Sequence, residues 1–125
     1  MAGGGLPVGP GLRLVDGLDV GTVVWVNLDP THGREQAGHR PCVVVSSRTH
    51  LELVTELVTV VPVTTRDRQW VNHVELTPAG VLDRPSWAMT EQVRTLDRSR
   101  IRRIVGRVDE ECLGEIAWWA REFLL

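Results

Sequence analysis

The feature that most constrains the fold is a series of short apolar runs, rich in β-branched residues and each ended by turn residues. These runs predict strands at residues 22–28, 42–46, 58–64, 73–76, 86–96 and 104–108. Asp109 then caps one helix, whose apolar face carries Leu113, Ile116, Ala117, Ala120 and Leu124 at helical spacing. Because long helices do not alternate with the strands, the pattern excludes a parallel sheet. It predicts a mainly β fold, a strongly bent sheet or partly open barrel with the C-terminal helix packed against it.

Two prolines and one segment of mixed spacing refine this prediction. Pro41 has no amide hydrogen, so we expect it to begin the second strand, and Pro62 indicates that the third strand lies at an edge or contains a bulge. Residues 47–56 mix helical and strand spacing, which favours a loop with one helical turn. Asp97 is placed to cap a short helical turn before the last strand.

The length of the chain, 125 residues, predicts one domain with a single core. The glycine- and proline-rich start predicts a flexible lead-in over residues 1–17, followed by the folded domain over residues 18–125. The start has no signal-peptide pattern, and no apolar run approaches the roughly 20 residues of a membrane span. Cys42 and Cys112 are expected to be buried, reduced thiols. We therefore expect a cytoplasmic protein without membrane contact.

The basic residues are distributed unevenly, although the net charge is only −2. All 14 are arginine, and seven of them lie between residues 84 and 107. A nearly neutral total argues against general nucleic-acid binding. A guanidinium, however, binds phosphate in a planar, bidentate way and stacks on bases. Clustered arginines are thus suited to local phosphate contacts, with genome composition as the alternative explanation for the absence of lysine.

Residues 33–41 form a charged loop that runs directly into the second strand. Glu35, Gln36, His39 and Arg40 bring four different polar groups to the mouth of a buried strand, where a rigid scaffold can hold a functional loop. The chain has no lysine, no Gly-x-Ser-x-Gly turn and no paired histidines at metal-ligand spacing, so triphosphate, serine-hydrolase and metal chemistry lack sequence support. Arginine, glutamate and threonine in strand-end loops suit the cleavage of RNA by its own 2′-hydroxyl. That reaction requires only proton transfer and stabilisation of the phosphorane.

Three motifs resemble those of the MazF/PemK family of toxin endoribonucleases. Residues 29–41, from Asp29-Pro30 to Arg40-Pro41, match the first motif; residues 61–65 match the second, and residues 91–98 the third. They follow one another in the family's order and the resemblance extends over residues 19–124. The resemblance implies an SH3-like barrel that forms a homodimer. It also implies RNA cleavage to 2′,3′-cyclic phosphate and 5′-hydroxyl ends, without metal or other cofactor, and an antitoxin partner.

The resemblance also implies roles for individual residues. Arg40 and Thr64 match the catalytic pair, and Glu35 matches a loop glutamate that some members need. Arginine is a poor base because it stays protonated at neutral pH, so we expect Arg40 to stabilise the phosphate or to protonate the leaving group. We expect Thr64 to donate its hydroxyl. For Glu35 the roles of base and of the group that orients Arg40 remain open, as does a simple ion pair with Arg34 or Arg40. By position alone, Arg40 is as well explained as a surface arginine, and Thr64 better as an ordinary strand residue.

Further candidates for RNA binding flank the catalytic pair. They are Gln36, His39, Thr65, Arg66, Trp70, Gln92 and Arg94. Gln92 and Arg94 are two residues apart in one predicted strand, so they would share a face and could meet a base edge or a phosphate, although a solvated face is an equal alternative. Trp70 is suited to stack on an unpaired base, but a tryptophan that anchors its own loop is the commoner case. His73 is expected only to begin a strand, and Trp25 and Trp87 are expected in the core.

These observations favour the toxin of a toxin–antitoxin pair, a sequence-specific, metal-independent endoribonuclease acting on single-stranded RNA (an mRNA interferase). The antitoxin is expected to insert an acidic and apolar segment into the RNA groove and to compete by charge. Two alternatives remain open. One is an interaction toxin of the same fold, of the gyrase-poison type, which Trp118 and Trp119 near the chain end would suit. The other is a non-catalytic RNA-binding module.

Overall fold

The computed structural model describes residues 17–28 and 38–124, which form seven strands and two α-helices. In chain order these are β1 (Thr22–Asn27), β2 (His39–Val44), α1 (Arg48–Leu53), β3 (Leu57–Thr64), β4 (His73–Glu75), β5 (Trp87–Met89), β6 (Arg94–Asp97), β7 (Ile101–Arg107) and α2 (Glu110–Leu124). Short 3₁₀ turns follow β5 at Thr90–Gln92 and β6 at Arg98–Arg100. The lead-in predicted over residues 1–17 lies outside the described residues except for Gly17, as does most of the charged loop.

All strand pairs in this part of the chain are antiparallel. The order across the sheet is β4-β5-β3-β2-β1-β7, and β6 pairs with β3 off this path. β3 is the longest strand, with β2 on one side and both β5 and β6 on the other. The described sheet does not close on itself, since β4 and β7 are its two ends. This arrangement confirms the prediction of a mainly β, partly open barrel with a C-terminal helix.

Side chains of the bent sheet alternate between two apolar clusters, as the period of two in a strand requires. The inner cluster consists of Val24, Val26, Leu28, Cys42, Val44, Leu51, Val58, Val60, Leu96 and Ile101. The helix-side cluster consists of Val23, Val43, Val61, Val63, Val74, Leu76, Ala88, Val108, Cys112 and Ile116. Both faces of the central strands are thus buried, so β-branched valine fills most positions.

α2 packs on the helix-side cluster through Cys112, Ile116 and Ala120. Asp109 caps the helix as predicted, because its carboxylate accepts a hydrogen bond of 2.9 Å from the Cys112 amide. The expectation for Leu124 was wrong, since this residue is 64% exposed in the last turn of the helix. In the described part of the chain no helix is long and apolar enough to cross a membrane.

The single strand predicted over residues 86–96 is wrong, because the 3₁₀ turn Thr90–Gln92 divides it into β5 and β6. Both strands pair with β3, but at different ends of it. β5 lies opposite Val63 and Thr64, whereas β6 lies opposite residues 57–60. Two residues of β3, Val61 and Pro62, lie between the segments that pair with β6 and β5.

Pro62 explains why the pairing is interrupted at this point. The Val45 amide donates to the Thr59 carbonyl at 2.9 Å. Since hydrogen-bonded and non-hydrogen-bonded pairs alternate along an antiparallel ladder, the Pro62 nitrogen points away from β2, toward β5 and β6. A proline nitrogen has no hydrogen to donate there. Pro62 therefore lies in a central strand where its partner changes, and the expected edge position was wrong.

The local predictions for the turns are confirmed. The Ser47 hydroxyl accepts from the His50 amide at 3.0 Å and caps α1, the one short helix within residues 47–56. The Asp97 carboxylate accepts from the Ser99 amide at 2.8 Å. Both cysteines are buried and unbridged.

The two tryptophans assigned to the core are only partly buried. Trp25 lies between Pro41 and Arg103 in the sheet, and the Arg103 guanidinium is 5.8 Å from its ring centre. Trp87 lies in β5, opposite Thr64. Neither residue belongs to the two apolar clusters.

Candidate active site

The two residues predicted as the catalytic pair lie side by side, although 24 positions separate them in the chain. The β2–β3 register pairs Cys42 with Pro62, and continuing it by two residues brings Arg40 opposite Thr64. Arg40 Nη1 donates a hydrogen bond of 2.9 Å to the Val63 carbonyl, next to Thr64. Antiparallel pairing therefore places a guanidinium and a hydroxyl at the same end of two neighbouring strands.

Pro41 contributes to this arrangement because it has no amide hydrogen to donate to β3. β2 begins at His39, so Pro41 lies inside the strand and the prediction that it would begin the strand was wrong. The alternation of hydrogen bonds in the β2–β3 ladder directs the Pro41 nitrogen toward Val63. Since proline has no amide hydrogen, the Val63 carbonyl is left to accept from the Arg40 side chain instead.

Arg40 and Thr64 share one face of the sheet, which we call the Arg40 face and define by Val26, Arg40, Thr64 and Trp87. Val26 is opposite Arg40 in β1, and Trp87 is opposite Thr64 in β5. Directly opposed residues of an antiparallel pair point to the same side. The inner cluster fills this face toward the middle of the sheet, and the polar pair continues it toward the strand ends.

Burial shapes the electrostatics of Arg40. Burial lowers its pKa, the nearby Cys42 thiol opposes this effect, and the positive charge of Arg68 adds to it. An arginine pKa lies so high that the guanidinium stays charged at neutral pH. In the described part of the chain its buried Nε has no hydrogen-bond partner. Arg40 is thus a fixed, partly desolvated positive charge.

Cys42 is buried two residues after Arg40 in β2, and its thiol is unreactive. Burial raises the pKa of its thiol to about 12, despite the opposing charges of Arg40 and Arg94. A thiol with so high a pKa is not ionised at neutral pH and is a poor nucleophile. The influence of both arginines on one thiol places Arg94 near the pair.

Arg94 lies on the same side of the sheet as the Arg40 face, but Gln92 does not share a strand with it. Arg94 is opposite Val60, a member of the inner cluster, and so points to the same side as Cys42. Gln92 lies in the 3₁₀ turn before β6, where its amide nitrogen is 3.3 Å from Glu91 Oε2 and 3.7 Å from Met89 Sδ. The expectation of one shared strand face was wrong because the strand ends at this turn.

The loop after β3 carries three of the predicted RNA contacts. Thr65 and Arg66 are exposed, and the Arg66 amide donates to Thr64 Oγ1 at 3.1 Å. Trp70 is 50% exposed, and the Arg68 guanidinium lies 5.9 Å from the centre of its ring. A half-exposed indole beside a cation is suited to stack on a base.

His39 is exposed at the start of β2, but on the opposite face from Arg40, where it pairs with Asn27. Glu35 and Gln36 lie outside the described residues, so their predicted roles stay predictions. Among residues 17–28 and 38–124, no group of three or more His, Cys, Asp or Glu side chains is arranged to hold a metal ion.

Comparison with known proteins identifies the family. The sequence profile of the PemK-like, MazF-like toxins of type II toxin–antitoxin systems matches residues 19–124. The chain belongs to this family.

Individual relatives agree with this assignment. The endoribonuclease toxin MazF of Escherichia coli K12 is 37% identical over 78 residues, which cover 62% of this chain and 67% of the relative. The endoribonuclease MazF of Staphylococcus saprophyticus is 29% identical over 98 residues, covering 77% and 82%.

Solved structures of family members share the fold. MazF of Deinococcus radiodurans superposes with a TM-score of 0.75 at 32% identity, covering 86% of this chain and 96% of that one. A MazE–MazF structure from the same organism gives a TM-score of 0.70 at 30% identity, covering 86% and 95%.

Sequence reasoning missed two polar features of this MazF-like domain. His73 does more than begin β4, because its imidazole is buried against the Glu91 carboxylate, 3.0 Å away. Arg98, one of the seven arginines between residues 84 and 107, is buried and donates to three backbone carbonyls. Neither had a local signal, since each partner lies 18 or more positions away in the chain. The contact between Arg68 and Trp70, by contrast, had a local signal, because the two residues are only two positions apart in the sequence.

Proposed function

We propose that this MazF-like toxin is a metal-independent endoribonuclease that cuts single-stranded RNA at a short recognition sequence, leaving 2′,3′-cyclic phosphate and 5′-hydroxyl ends. The observation that carries the proposal is the Arg40 guanidinium, hydrogen-bonded to the Val63 carbonyl and set beside Thr64 at the end of β3. Its relatives named endoribonuclease MazF support the reaction class.

The reaction assigned to this pair uses the substrate's own nucleophile. The 2′-hydroxyl loses its proton and attacks the adjacent phosphorus, the bond from phosphorus to the 5′-oxygen breaks, and that oxygen takes up a proton. Arg40 is anchored through one nitrogen, so its charge is held in place before RNA arrives. A preoriented, partly desolvated cation stabilises the phosphorane without reorganising.

Thr64 and Glu35 complete the proposed mechanism. The Thr64 hydroxyl already accepts from the Arg66 amide, which leaves its hydrogen free to be donated to a phosphate oxygen. Glu35 is proposed as the base or as the group that orients Arg40. Removing one preoriented hydrogen-bond donor from an oxyanion site lowers the rate about 10²–10³-fold, and we expect an effect of that order here.

RNA binding is assigned to groups around the pair. Arg66 and Arg94 are proposed to contact phosphates and Trp70 to stack on a base, with Gln36, His39, Thr65 and Gln92 as further contacts. Neutralising phosphates releases counterions, so binding should weaken as the salt concentration rises.

The proposal includes two assemblies, a homodimer of the toxin and a complex with an antitoxin. The toxin is proposed to act as a homodimer in the cytoplasm and to be held inactive by a cognate antitoxin. MazE–MazF structures of the Deinococcus radiodurans relative support an antitoxin partner. An acidic, apolar segment would compete with RNA for the positive charge of the Arg40 face.

The test is a cleavage assay in EDTA on a long unstructured RNA, with primer extension to map each new 5′ end. We expect discrete cuts at one shared short sequence with the wild-type chain, none with Arg40→Ala, and at least about 100-fold slower cutting with Thr64→Val. Arg121→Ala, which removes an exposed arginine of α2 outside the arginine-rich region 84–107, is the matched control and should cut normally.

The outcomes separate the proposal from its alternatives. Cutting by Arg40→Ala at the wild-type rate would refute the mechanism. Intact RNA with the wild-type chain, together with RNA binding that Thr64→Val does not alter, would indicate a non-catalytic RNA-binding module. Intact RNA without binding would favour an interaction toxin acting through its C-terminal helix, where Trp118 and Phe123 are about half exposed.

A further inference from the structure

The His73 imidazole and the Glu91 carboxylate form a hydrogen-bonded pair beside the Arg40 face, and the proposed reaction does not use this pair. His73 Nε2 lies 3.0 and 3.2 Å from the two carboxylate oxygens of Glu91. The His73 side chain is 1% exposed and that of Glu91 is 29% exposed. Placing such a pair in a partly dry site costs desolvation energy, and well-packed apolar side chains often serve stability as well or better. Stability alone therefore does not explain the pair.

The Glu91 carboxylate is the centre of a small network. Besides His73, it accepts a hydrogen bond of 2.8 Å from the Asn72 side-chain amide and one of 3.3 Å from the Gln92 amide. The Thr90 hydroxyl in turn donates to the Asn72 carbonyl at 2.7 Å. These contacts tie the end of the loop before β4 to the 3₁₀ turn between β5 and β6.

The same pair supports Trp70. The centres of the Trp70 and His73 rings are 4.7 Å apart and their planes are tilted by 46°. The His73 amide also donates to the Trp70 carbonyl at 3.0 Å. The indole thus lies against a side chain whose own orientation is set by Glu91.

The sheet register relates the pair to the catalytic residues. His73 is opposite Met89 in β4–β5, and Trp87, two residues before Met89, is opposite Thr64 in β5–β3. Residues two apart in a strand share a face, so His73 points to the same side as Thr64. The strand spacing places β4 roughly 10 Å from β3. Because this distance is short, a nucleotide next to a phosphate bound at Arg40 and Thr64 can reach Trp70.

We propose that His73 and Glu91 are positioning residues, which hold Trp70 and Gln92 so that they bind one nucleobase adjacent to the scissile phosphate. This inference rests on the proposed ribonuclease function and names a part of its substrate site. Trp70 supplies the stacking surface and the Gln92 amide supplies a polar contact to the base edge. The His73–Glu91 pair touches neither the base nor the phosphate.

The experiment uses a short RNA with one mapped cut site, together with a series in which each nucleotide around that site in turn lacks its base. kcat and KM are measured for the wild-type chain, Trp70→Leu, Glu91→Gln and the double variant. Glu91→Gln keeps the shape and one acceptor oxygen but removes the charge. Glu56→Gln, which neutralises an exposed carboxylate in the turn before β3, is the matched control.

We expect removal of one particular base to lower kcat/KM of the wild-type chain by roughly tenfold, the typical contribution of stacking on an aromatic side chain. Trp70→Leu should lose this discrimination. Glu91→Gln should lose most of it at the same nucleotide, through KM and with kcat within about twofold, since a hydrogen bond to a charged group is worth roughly tenfold in binding. The double variant should be no worse than Trp70→Leu, because coupled residues are not additive.

Several results would overturn the inference. One is a Glu91→Gln variant that behaves like Glu56→Gln. Another is a loss that is equal at every nucleotide and accompanied by a lower melting temperature, which would make the pair purely structural. Full additivity with Trp70→Leu would show that the pair acts independently of the indole.

Two controls keep the test decisive. His73→Gln retains a donor toward Glu91 and should restore more discrimination than His73→Leu in chains with the same melting temperature. If the wild-type chain does not cut RNA, the proposed function fails, and the same abasic RNAs are then scored by Kd from fluorescence anisotropy. An intact Trp70-dependent preference for one base that Glu91→Gln abolishes would still support the positioning role, and its absence would refute it.

Discussion

Replacement of Arg98 by methionine should destabilise the fold strongly, although a surface arginine is usually dispensable. The Arg98 side chain donates to the carbonyls of Leu51 at 2.6 Å, Val54 at 3.1 Å and Leu57 at 2.9 Å. It thereby joins the end of α1 to the beginning of β3. The residue is only 8% exposed, and burial lowers its pKa. Methionine keeps most of the apolar stem and removes every donor.

The expected loss can be estimated from these three hydrogen bonds. A bond from a charged donor contributes about 1.5–3 kcal/mol net. Only the bond to Leu51 is fully buried, so its loss should lower the free energy of unfolding by the full amount. Water can partly replace the bonds to Val54 and Leu57, so their loss should cost less. We therefore expect a loss of about 3–4 kcal/mol in the free energy of unfolding. For a domain of about 100 residues this corresponds to a melting temperature lower by about 12–16 °C.

Urea unfolding followed by tryptophan fluorescence measures this loss. Arg102→Met changes an exposed arginine of β7 and should shift the free energy of unfolding by less than about 0.5 kcal/mol. Equal shifts for the two variants would refute the reasoning, since they would mean that the three carbonyl contacts add nothing to stability. The RNA-binding salt dependence of a folded Arg98→Met chain should equal that of the wild type, because Arg98 is not available to phosphate.

Three further predictions concern the site. Arg40→Lys should bind RNA but cut it at least about 100-fold more slowly, because an ammonium cannot hold the Val63 carbonyl and a phosphate in one plane; single-turnover kinetics measure this, and wild-type rates would contradict it. Cys42 should react with iodoacetamide at pH 8 at least about 100-fold more slowly in the native chain than in urea, because burial raises its pKa to about 12; mass spectrometry of the labelled peptide checks it. Burial raises the pKa of Glu91, but hydrogen bonds from its own backbone, His73 and Gln92 outweigh this and hold the pKa below its usual range. Its charge therefore stabilises the fold above the unfolded pKa of about 4.3, and the stability advantage over Glu91→Gln should shrink as the pH falls below that value in acid-denaturation curves.

The strand predictions succeeded where local chemistry decides conformation. Alternating β-branched residues, turn residues and the caps at Asp97 and Asp109 act over a few positions, and the structure has both caps and a strand at each predicted run, although β2 and β7 each begin three residues earlier than predicted. The strand predictions failed where the conformation of a segment depends on a partner that is distant in the sequence. The chain from residue 86 to 96 has strand composition throughout, yet it breaks because β3 presents Pro62 between its two partners.

The same division holds for the candidate site. The sequence alone placed Arg40 and Thr64 in motifs of one toxin family and restricted their chemistry to charge and hydroxyl donation, since these properties belong to the residues themselves. Only the tertiary structure brought the two together, through the register of β2 on β3 and a carbonyl that Pro41 leaves unpaired.

Tertiary structure also decided which polar side chains are engaged in contacts within the protein and which remain available to bind RNA. It buried Arg98 against three carbonyls and paired His73 with Glu91 across 18 positions. The physical reason is that hydrogen bonds between strands depend on which segments meet, and a periodic pattern within one segment does not contain that information.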